Sequence, residues 1–340
     1  MSLAADPPTL EQVAALAGVG RGTASRVING SSHVSEHARK AVERAVRELG
    51  YIPNQAARTL KTRRTGAVAL VISETEDRVF GEPFFATLIR GISAATDDAG
   101  YQLLLALVRG HEEATREHPF LSPQHVDGAL MVSQHDDDPL PRALVERGLP
   151  VVFGGRAPED TDASSVDVDN VGGAASAVDH VVAAGRRTVA TIAGPDDMSA
   201  GRDRLTGFGV SLRRHGLVRD PGLVAAGDFS EAGGERAMTA LLAARPDLDA
   251  VFVASDLMAV GALRALRAAG RSVPHDVAVV GFDDAPVATQ TDPALTTVHQ
   301  PIDELGRRMA RVIVDRISAG PGRTATHEVL PTRLVVRASG

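Results

Sequence analysis

Apolar side chains near the start of the chain recur at helical spacing. Leu10, Val13, Ala14 and Ala17 follow i, i+3, i+4, i+7 and form one face. Thr9 precedes them with Gln12 three residues on, the spacing of a capping box, so a helix begins there. Gly18 breaks it, Val19 offers an apolar plug beneath a tight turn, and a second helix runs from about Arg21 to Ile28. Two helices joined by a short Gly-containing turn describe a helix-turn-helix. A third helix starts near Ser35, an N-cap with Glu36 placed against the helix dipole. Its stripe is Ala38, Ala41, Val42, Ala45, Val46 and Leu49, and Gly50 stops it. Pro53 then ends the preceding element, Asn54 is a natural N-cap, and about two helical turns lead to Leu60. So short a helix is marginal by itself. Spacing alone fits any small three-helix bundle followed by a linker.

From about Gly66 the pattern changes to continuous apolar runs: GAVALVIS (66–73), YQLLLALV (101–108), GALMVS (128–133) and PVVF (150–153). TVATIAG (188–194), AVFVAS (250–255) and VAVVGF (277–282) follow. Helical stretches lie between them at about 84–99, 172–184, 201–215, 233–244 and 256–269. Buried strands alternating with helices predict parallel sheets covered on both faces, and the length suffices for two lobes.

Charge separates the two parts further. The 340-residue chain has a net charge of −7, but residues 1–64 hold ten Arg/Lys against five Asp/Glu, net +5. The remainder holds 26 against 38, net −12. A basic head on an acidic body is the footprint of phosphate binding. Arg21 and Arg26 lie at the start and middle of the second helix, the one that enters the major groove in this motif, and arginine can bond guanine O6 and N7 bidentately. Thr23, Ser25, Asn29 and His33 are short polar groups suited to backbone phosphates.

Catalysis finds little support. GVGRGT lacks the Lys-Ser/Thr ending of a phosphate loop and follows a helix rather than a strand. Asp283 and Asp284 are adjacent on an extended run, so their side chains point apart. His111, His118, His125 and His135 lack metal-ligand spacing, there is no cysteine, and Asp136-Asp137-Asp138 reads as a solvated loop. The expectation is a non-enzyme with neither cofactor nor metal. MSLAADPPTL has no basic region followed by an apolar one, and no apolar run approaches a membrane span, so a cytoplasmic location is expected.

VAALAGVGRGTASRVING and HVSEHARKAVERAVRELGYIPNQAARTL resemble, in order and spacing, the headpiece of the LacI/GalR family of bacterial transcription regulators. The resemblance implies a helix-turn-helix headpiece over 9–52, a hinge helix and linker over 53–64, and an effector-binding and dimerisation domain over 65–340. It puts Arg21, Gly22 and Arg26 at the base-reading positions; Gly22 departs from the pattern, having no side chain with which to read a base. Thr9, Leu10, Thr23, Ser25, Asn29, His33 and Tyr51 complete the DNA-facing set. Asn54, Ala57 and Leu60 fall on the hinge helix; paired hinges enter the minor groove, Ala57 lets them approach and Leu60 wedges a base step.

The two α/β halves resemble the type I periplasmic sugar-binding architecture, which that family shares. It implies two doubly wound lobes crossed three times by the chain, here near 157–167, 290–301 and 320–326. The first lobe is then about 65–166 and 300–322, the second about 167–299 and 323–340, with an effector between them. Arg204 in GRDRLTGF matches the arginine that clamps hydroxyls, and Asp283 in VVGFDDAP the pocket acid. Phe229 matches an aromatic lid, Ser255 replaces a common Asn, and Arg156 replaces an acid, bonding a second sugar ring or facing water. Phe84 and Phe85 are read into the first strand-to-helix connection, where open sheets bind ligands, although core packing accounts for a phenylalanine equally well. Gln300 joins the set, and Asp256 is given a structural role as a helix cap. FGEPFFATLIRGI and GPDDMSAGRDRLTGF more narrowly resemble the cello-oligosaccharide-responsive repressors of high-GC bacteria, which makes cellobiose the first choice of effector. The implied protein is a homodimer that represses sugar-utilisation genes from a pseudo-palindromic double-stranded operator and is released by its sugar. A corepressor-type regulator with a non-sugar ligand and a soluble sugar-binding protein are the alternatives. No leucine-heptad tail follows RLVVR, so a dimer is expected rather than a tetramer.

Overall fold

The computed structural model describes residues 8–28, 31, 33–51, 64–108, 118–158, 161, 163–320, 322 and 324–340. The chain forms two compact units, Met1–Thr65 and Gly66–Gly340.

In the first unit, α1 (Leu10–Leu16) opens on the capping box read from the sequence. The Thr9 hydroxyl accepts from the Gln12 N–H at 3.3 Å, and Gln12 Oε1 accepts from the Thr9 N–H at 2.8 Å. α2 (Arg21–Ile28) and α3 (Glu36–Leu49) follow; Ser35 caps α3 at its start, and Gly50 ends it in the left-handed region that glycine adopts freely. Val13, Ala14, Ala24, Val27, Val42 and Ala45 are the buried centre, with Leu10, Ala17, Val19, Val46, Leu49 and Tyr51 packed around them. The segment read as a hinge helix, with Asn54, Ala57 and Leu60, lies outside the described residues, as does Asn29.

The second unit begins with β1 (Ala67–Ile72), α4 (Glu76–Gly81), α5 (Pro83–Asp98), β2 (Gln102–Leu107) and β3 (Gly128–Val132). It continues through α6 (Leu140–Glu146), β4 (Val151–Gly154), β5 (Ser164–Val168), α7 (Asn170–Ala183), β6 (Val189–Ala193) and α8 (Ser199–Arg214). Then come β7 (Val224–Ala226), α9 (Glu231–Ala244), β8 (Ala250–Val253), α10 (Asp256–Ala268), β9 (Ala278–Asp283) and β10 (Thr296–His299). α11 (Ile302–Ala319), β11 (His327–Leu330) and β12 (Arg333–Val335) complete it. Two sheets result, ordered β11-β5-β4-β3-β1-β2 and β12-β10-β9-β8-β6-β7, parallel except for the antiparallel β12. Each is doubly wound. Strand order reverses beside β1 and β3 in one lobe and beside β6 and β8 in the other, and the crevices at the carboxyl ends of those strands are where such sheets hold ligands.

The central strands are apolar without alternation because helices cover both faces. Val68, Leu70 and Ile72 face one core cluster, Ala67, Ala69 and Val71 the other. α11 returns from the second sheet to pack on α5, and the two backbones nearly touch there: a Cβ on Gly91 would lie 2.2 Å from the Asp303 carbonyl oxygen.

Three expectations need correction. Residues 157–167 do not leave the first lobe, because β5 pairs with β4; the chain crosses at 168–170, where β5 gives way to α7. The last crossing lies at 331–332 rather than 320–326, since β11 pairs with β5 and β12 with β10. The turn at Gly320 ends a helix, and the open edge of β5 then pairs with His327–Leu330. Phe84 and Phe85 belong to the first turn of α5, not to a loop, because Pro83 is pre-organised to start a helix. The middle crossing falls at 300–301, between β10 and α11.

Candidate functional site

A cavity of about 1140 Å³ separates the lobes, at the carboxyl ends of both sheets. On the second lobe its wall is built around Arg204. That guanidinium is buried and partly engaged: Nε donates to Asn170 Oδ1 at 2.9 Å and Nη1 to the Ala254 carbonyl at 2.6 Å, while the plane lies 3.8 Å from the Phe282 ring. Nη1 also reaches Asp283 Oδ1 at 3.4 Å. Burial pulls this cation below its usual range, opposed by the charges of Asp283, Asp167 and Asp256.

Asp283 ends β9 with φ +120, a strained conformation that aims its carboxylate into the cavity. It accepts from Gln300 Nε2 at 2.6 Å. Burial pushes its carboxyl up to about 6, against the pull of Arg204 and of the Gln300 hydrogen bond. Asp284 turns the other way, to Arg337 at 2.5 Å and His299 at 3.0 Å. Ser255 and not Asp256 caps α10, its hydroxyl accepting from the Met258 N–H at 3.3 Å. Asp256, one residue into the helix, instead ties strand ends together: it accepts from the Ala285 N–H at 2.8 Å and from the Thr297 hydroxyl at 2.6 Å. Phe229 closes this wall at φ +64, its ring 5.8 Å from Arg204 and 6.0 Å from Arg78.

The first lobe contributes α4, the start of α5 and the loop after β3. Arg78 is held between Glu74 at 2.5 Å and Glu82 at 2.7 Å, and burial pushes the Glu82 carboxyl up. Phe84 meets Phe85 edge-on at 5.2 Å. Phe85 is 1 % exposed and packs into the lobe's core, so Phe84 presents the more open ring. Polar bonds also span the lobes. His135 Nδ1 lies 2.6 Å from Asp197, Arg202 bonds Asp136 at 2.6 Å, and the Asp136 N–H donates to the Asp197 carbonyl at 3.0 Å. Arg156 bonds both oxygens of Asp203, at 2.9 and 2.7 Å. The Glu74 carboxylate 3.7 Å from Nε2, opposed by burial and aided by Asp197, raises His135 to about 9. Asp136 and Asp137 are exposed in this loop, as the sequence suggested, whereas Asp138 turns inward and accepts from the Ser73 hydroxyl at 2.7 Å and from the Leu140 N–H at 2.9 Å.

This arrangement alternates donors and acceptors around a space large enough for a ligand of two sugar rings, and its buried charged groups are held by ion pairs or hydrogen bonds. It suits a neutral, hydroxyl-rich molecule bonded from both lobes. In the separate N-terminal unit, Arg21, Gly22 and Arg26 are exposed on α2 while Ala24 and Val27 face the core. Arg21 pairs with Glu11 at 2.8 Å, and Arg26 Nε donates to the Gly22 carbonyl at 3.1 Å.

Two family models match: residues 9–54 fit the bacterial regulatory proteins of the lacI family, and residues 178–340 a periplasmic binding protein-like domain. The HTH-type transcriptional regulator CelR of Thermobifida fusca is 53% identical over 336 residues, covering 98% of each chain. The chain belongs to the LacI family. A solved transcriptional regulator CelR–cellobiose complex is similar to this LacI-family chain at a TM-score of 0.79 and 51% identity, over 98% of this chain and 100% of that one. The lac repressor dimer bound to operator and the anti-inducer ONPF is similar at a TM-score of 0.84 and 30% identity, over 98% and 99%.

Within this LacI-family chain, the residues read as effector-binding, Phe84, Phe85, Arg156, Arg204, Phe229, Ser255, Asp283 and Gln300, all line the cavity. Their duties differ. Ser255 caps a helix, Phe85 fills the core, and Arg156 is engaged with Asp203. Of the DNA-facing set, Thr9 and His33 are exposed, Thr23 and Ser25 are half-buried, and Leu10 and Tyr51 pack against the headpiece core. Sequence reasoning missed Arg78, Glu82, Gln134, Asp167 and Asn170 on the cavity wall. Gln134 and Asn170 follow the carboxyl ends of β3 and β5 and Asp167 is the last residue but one of β5, and that position is the signal that would have found them. Burial pushes the Asp167 carboxyl up.

Proposed function

We propose that this chain represses sugar-utilisation genes in the cytoplasm, binding a pseudo-palindromic operator as a homodimer and releasing it when a small sugar fills the cleft. Cellobiose is the first choice of effector. The observation that carries this reading is the polyol-matched cavity, with Arg204, Asp283 and Gln300 facing the first lobe, in a chain similar end to end to a regulator solved with cellobiose. Arg21 and Arg26 are the proposed base readers. Thr9, Thr23, Ser25, Asn29 and His33 are the proposed phosphate-side groups, and the hinge residues Asn54, Ala57 and Leu60 the minor-groove set. A ligand bonded from both lobes favours the closed cleft by its difference in affinity for the two states, and that difference is what shifts the equilibrium toward release.

The test is a gel shift with the full-length protein against genomic fragments, including the one upstream of its own gene. Binding should fall steeply with salt, because neutralised phosphates release counterions. Cellobiose should release the DNA, and ribose should not. Failure to bind any fragment at low salt would end the regulator reading; tighter DNA binding with cellobiose would reverse its sense to corepression.

A further inference from the structure

The loop after β3 is tied on both sides of one unpartnered atom. Ser133 holds φ +60 and donates its hydroxyl to Glu74 at 3.0 Å. His135 and Asp136 are tied to Asp197 and Arg202 of the opposite lobe. Between them, Gln134 lines the cavity, and its Nε2 is buried with no hydrogen-bond partner among the described residues. Neighbouring polar groups of that wall already hold one another: Arg78 with Glu74 and Glu82, and Asp138 with Ser73. A buried amide N–H without a partner carries an uncompensated desolvation cost, and native proteins keep such groups chiefly where something else supplies the bond.

We propose that Gln134 is the first lobe's specificity residue for the effector, its side-chain amide bonding a hydroxyl of a neutral sugar whose other hydroxyls meet Arg204 and Asp283. The inference rests on the sugar reading above. Three features support it. The backbone on both sides is pinned, so little freedom is lost on binding. The terminal amide torsion is soft, so the N–H can swing toward the cavity without moving the loop. An uncharged amide both donates and accepts, as a hydroxyl does, whereas an anionic ligand would call for an unpaired cation in that place. A bond made from this lobe, opposite Arg204 and Asp283, also forms fully only when the cleft is closed, so it serves release as well as recognition.

Calorimetric titration of the full-length protein with cellobiose tests the proposal, using wild type, Gln134→Leu and Gln134→Met, with melting curves recorded without sugar. Both substitutions remove the orphaned amide and keep most of the volume. The cellobiose Kd should rise about tenfold, the loss of one hydrogen bond to a ligand, while the melting temperature of the free protein holds or increases. A cellobiose Kd within twofold of wild type in either folded variant would overturn the assignment, as would a lowered melting temperature with unchanged affinity, which would make the amide structural. Wild-type protein that gives no heat with cellobiose and keeps its DNA in its presence would instead remove the sugar reading, and this assignment with it.

Discussion

Asp283→Asn separates the electrostatic cost of the cavity from its shape. The wild-type carboxyl sits at about 6 against an ordinary value of 3.8, because burial outweighs the help of Arg204 and Gln300. By linkage that difference corresponds to about 3 kcal/mol. A carboxyl raised on folding adds stability that is fully present below its unfolded value and lost as pH rises through the folded one. Holding Asp283 ionised at pH 7 thus costs the free protein about 3 kcal/mol relative to its acid form. Asparagine has the same size and cannot ionise. The difference in urea unfolding free energy between variant and wild type should therefore grow in the variant's favour by up to about 3 kcal/mol from pH 4 to pH 7. Binding should run the opposite way. The carboxylate accepts hydroxyl donors in charge-assisted bonds, so wild-type cellobiose affinity should fall about tenfold as pH drops from 7.5 to 5, and the variant's weaker affinity should stay flat. Parallel pH profiles in the two proteins, for stability or for binding, would refute the placement of this charge.

Three further outcomes are expected. Gly91→Ala should cost about 1–3 kcal/mol in thermal unfolding of the body, since its Cβ would meet the Asp303 carbonyl oxygen at 2.2 Å, while Gly81→Ala, with open space around it, should be near neutral. His135 should titrate at about 9 in histidine NMR, its bond to Asp197 being fully present below the ordinary 6.5 and lost as pH rises through about 9. A resonance assigned by His135→Gln that titrates below 7 would break the cross-lobe bond. Arg26→Ala should lose about 1–3 kcal/mol of discrimination against one base position in binding to operator variants, whereas equal loss on every sequence would mark a phosphate contact.

Much of the fold was legible because its signals are local. Thr9 with Gln12, Ser35 and Gly50 mark helix ends by chemistry within one turn of the chain. The apolar runs of β1, β3, β6, β8 and β9 announce strands buried on both faces. β5, β10, β11 and β12 escaped notice, since Ser164, Ser165, Thr296, His299, Glu328 and Arg333 look like loop residues. The partner of β11 also lies far along the chain, 162 residues away for Ser165 and His327. The crossings were misplaced for the same reason. Asp256 was given a structural role, but which residue caps α10 depended on whether Ser255 or Asp256 stood at the helix boundary, a matter of one residue.

The sequence on its own carries a basic helical head before an acidic α/β body, and its resemblance pointed to Arg204 and Asp283, which line one cavity. Helical periodicity, the net charge of each segment and the sugar-regulator pattern are all written in neighbouring residues. How the cavity's groups are engaged emerges only from the fold. Arg204 is engaged through Nε and Nη1, Arg156 is held by Asp203, Ser255 is taken by a helix, and the amide of Gln134 is left over. Whether a polar atom is satisfied depends on what folds against it, so a donor that is ordinary in the sequence SQHDDD becomes a binding group once every other bond of its loop has been made.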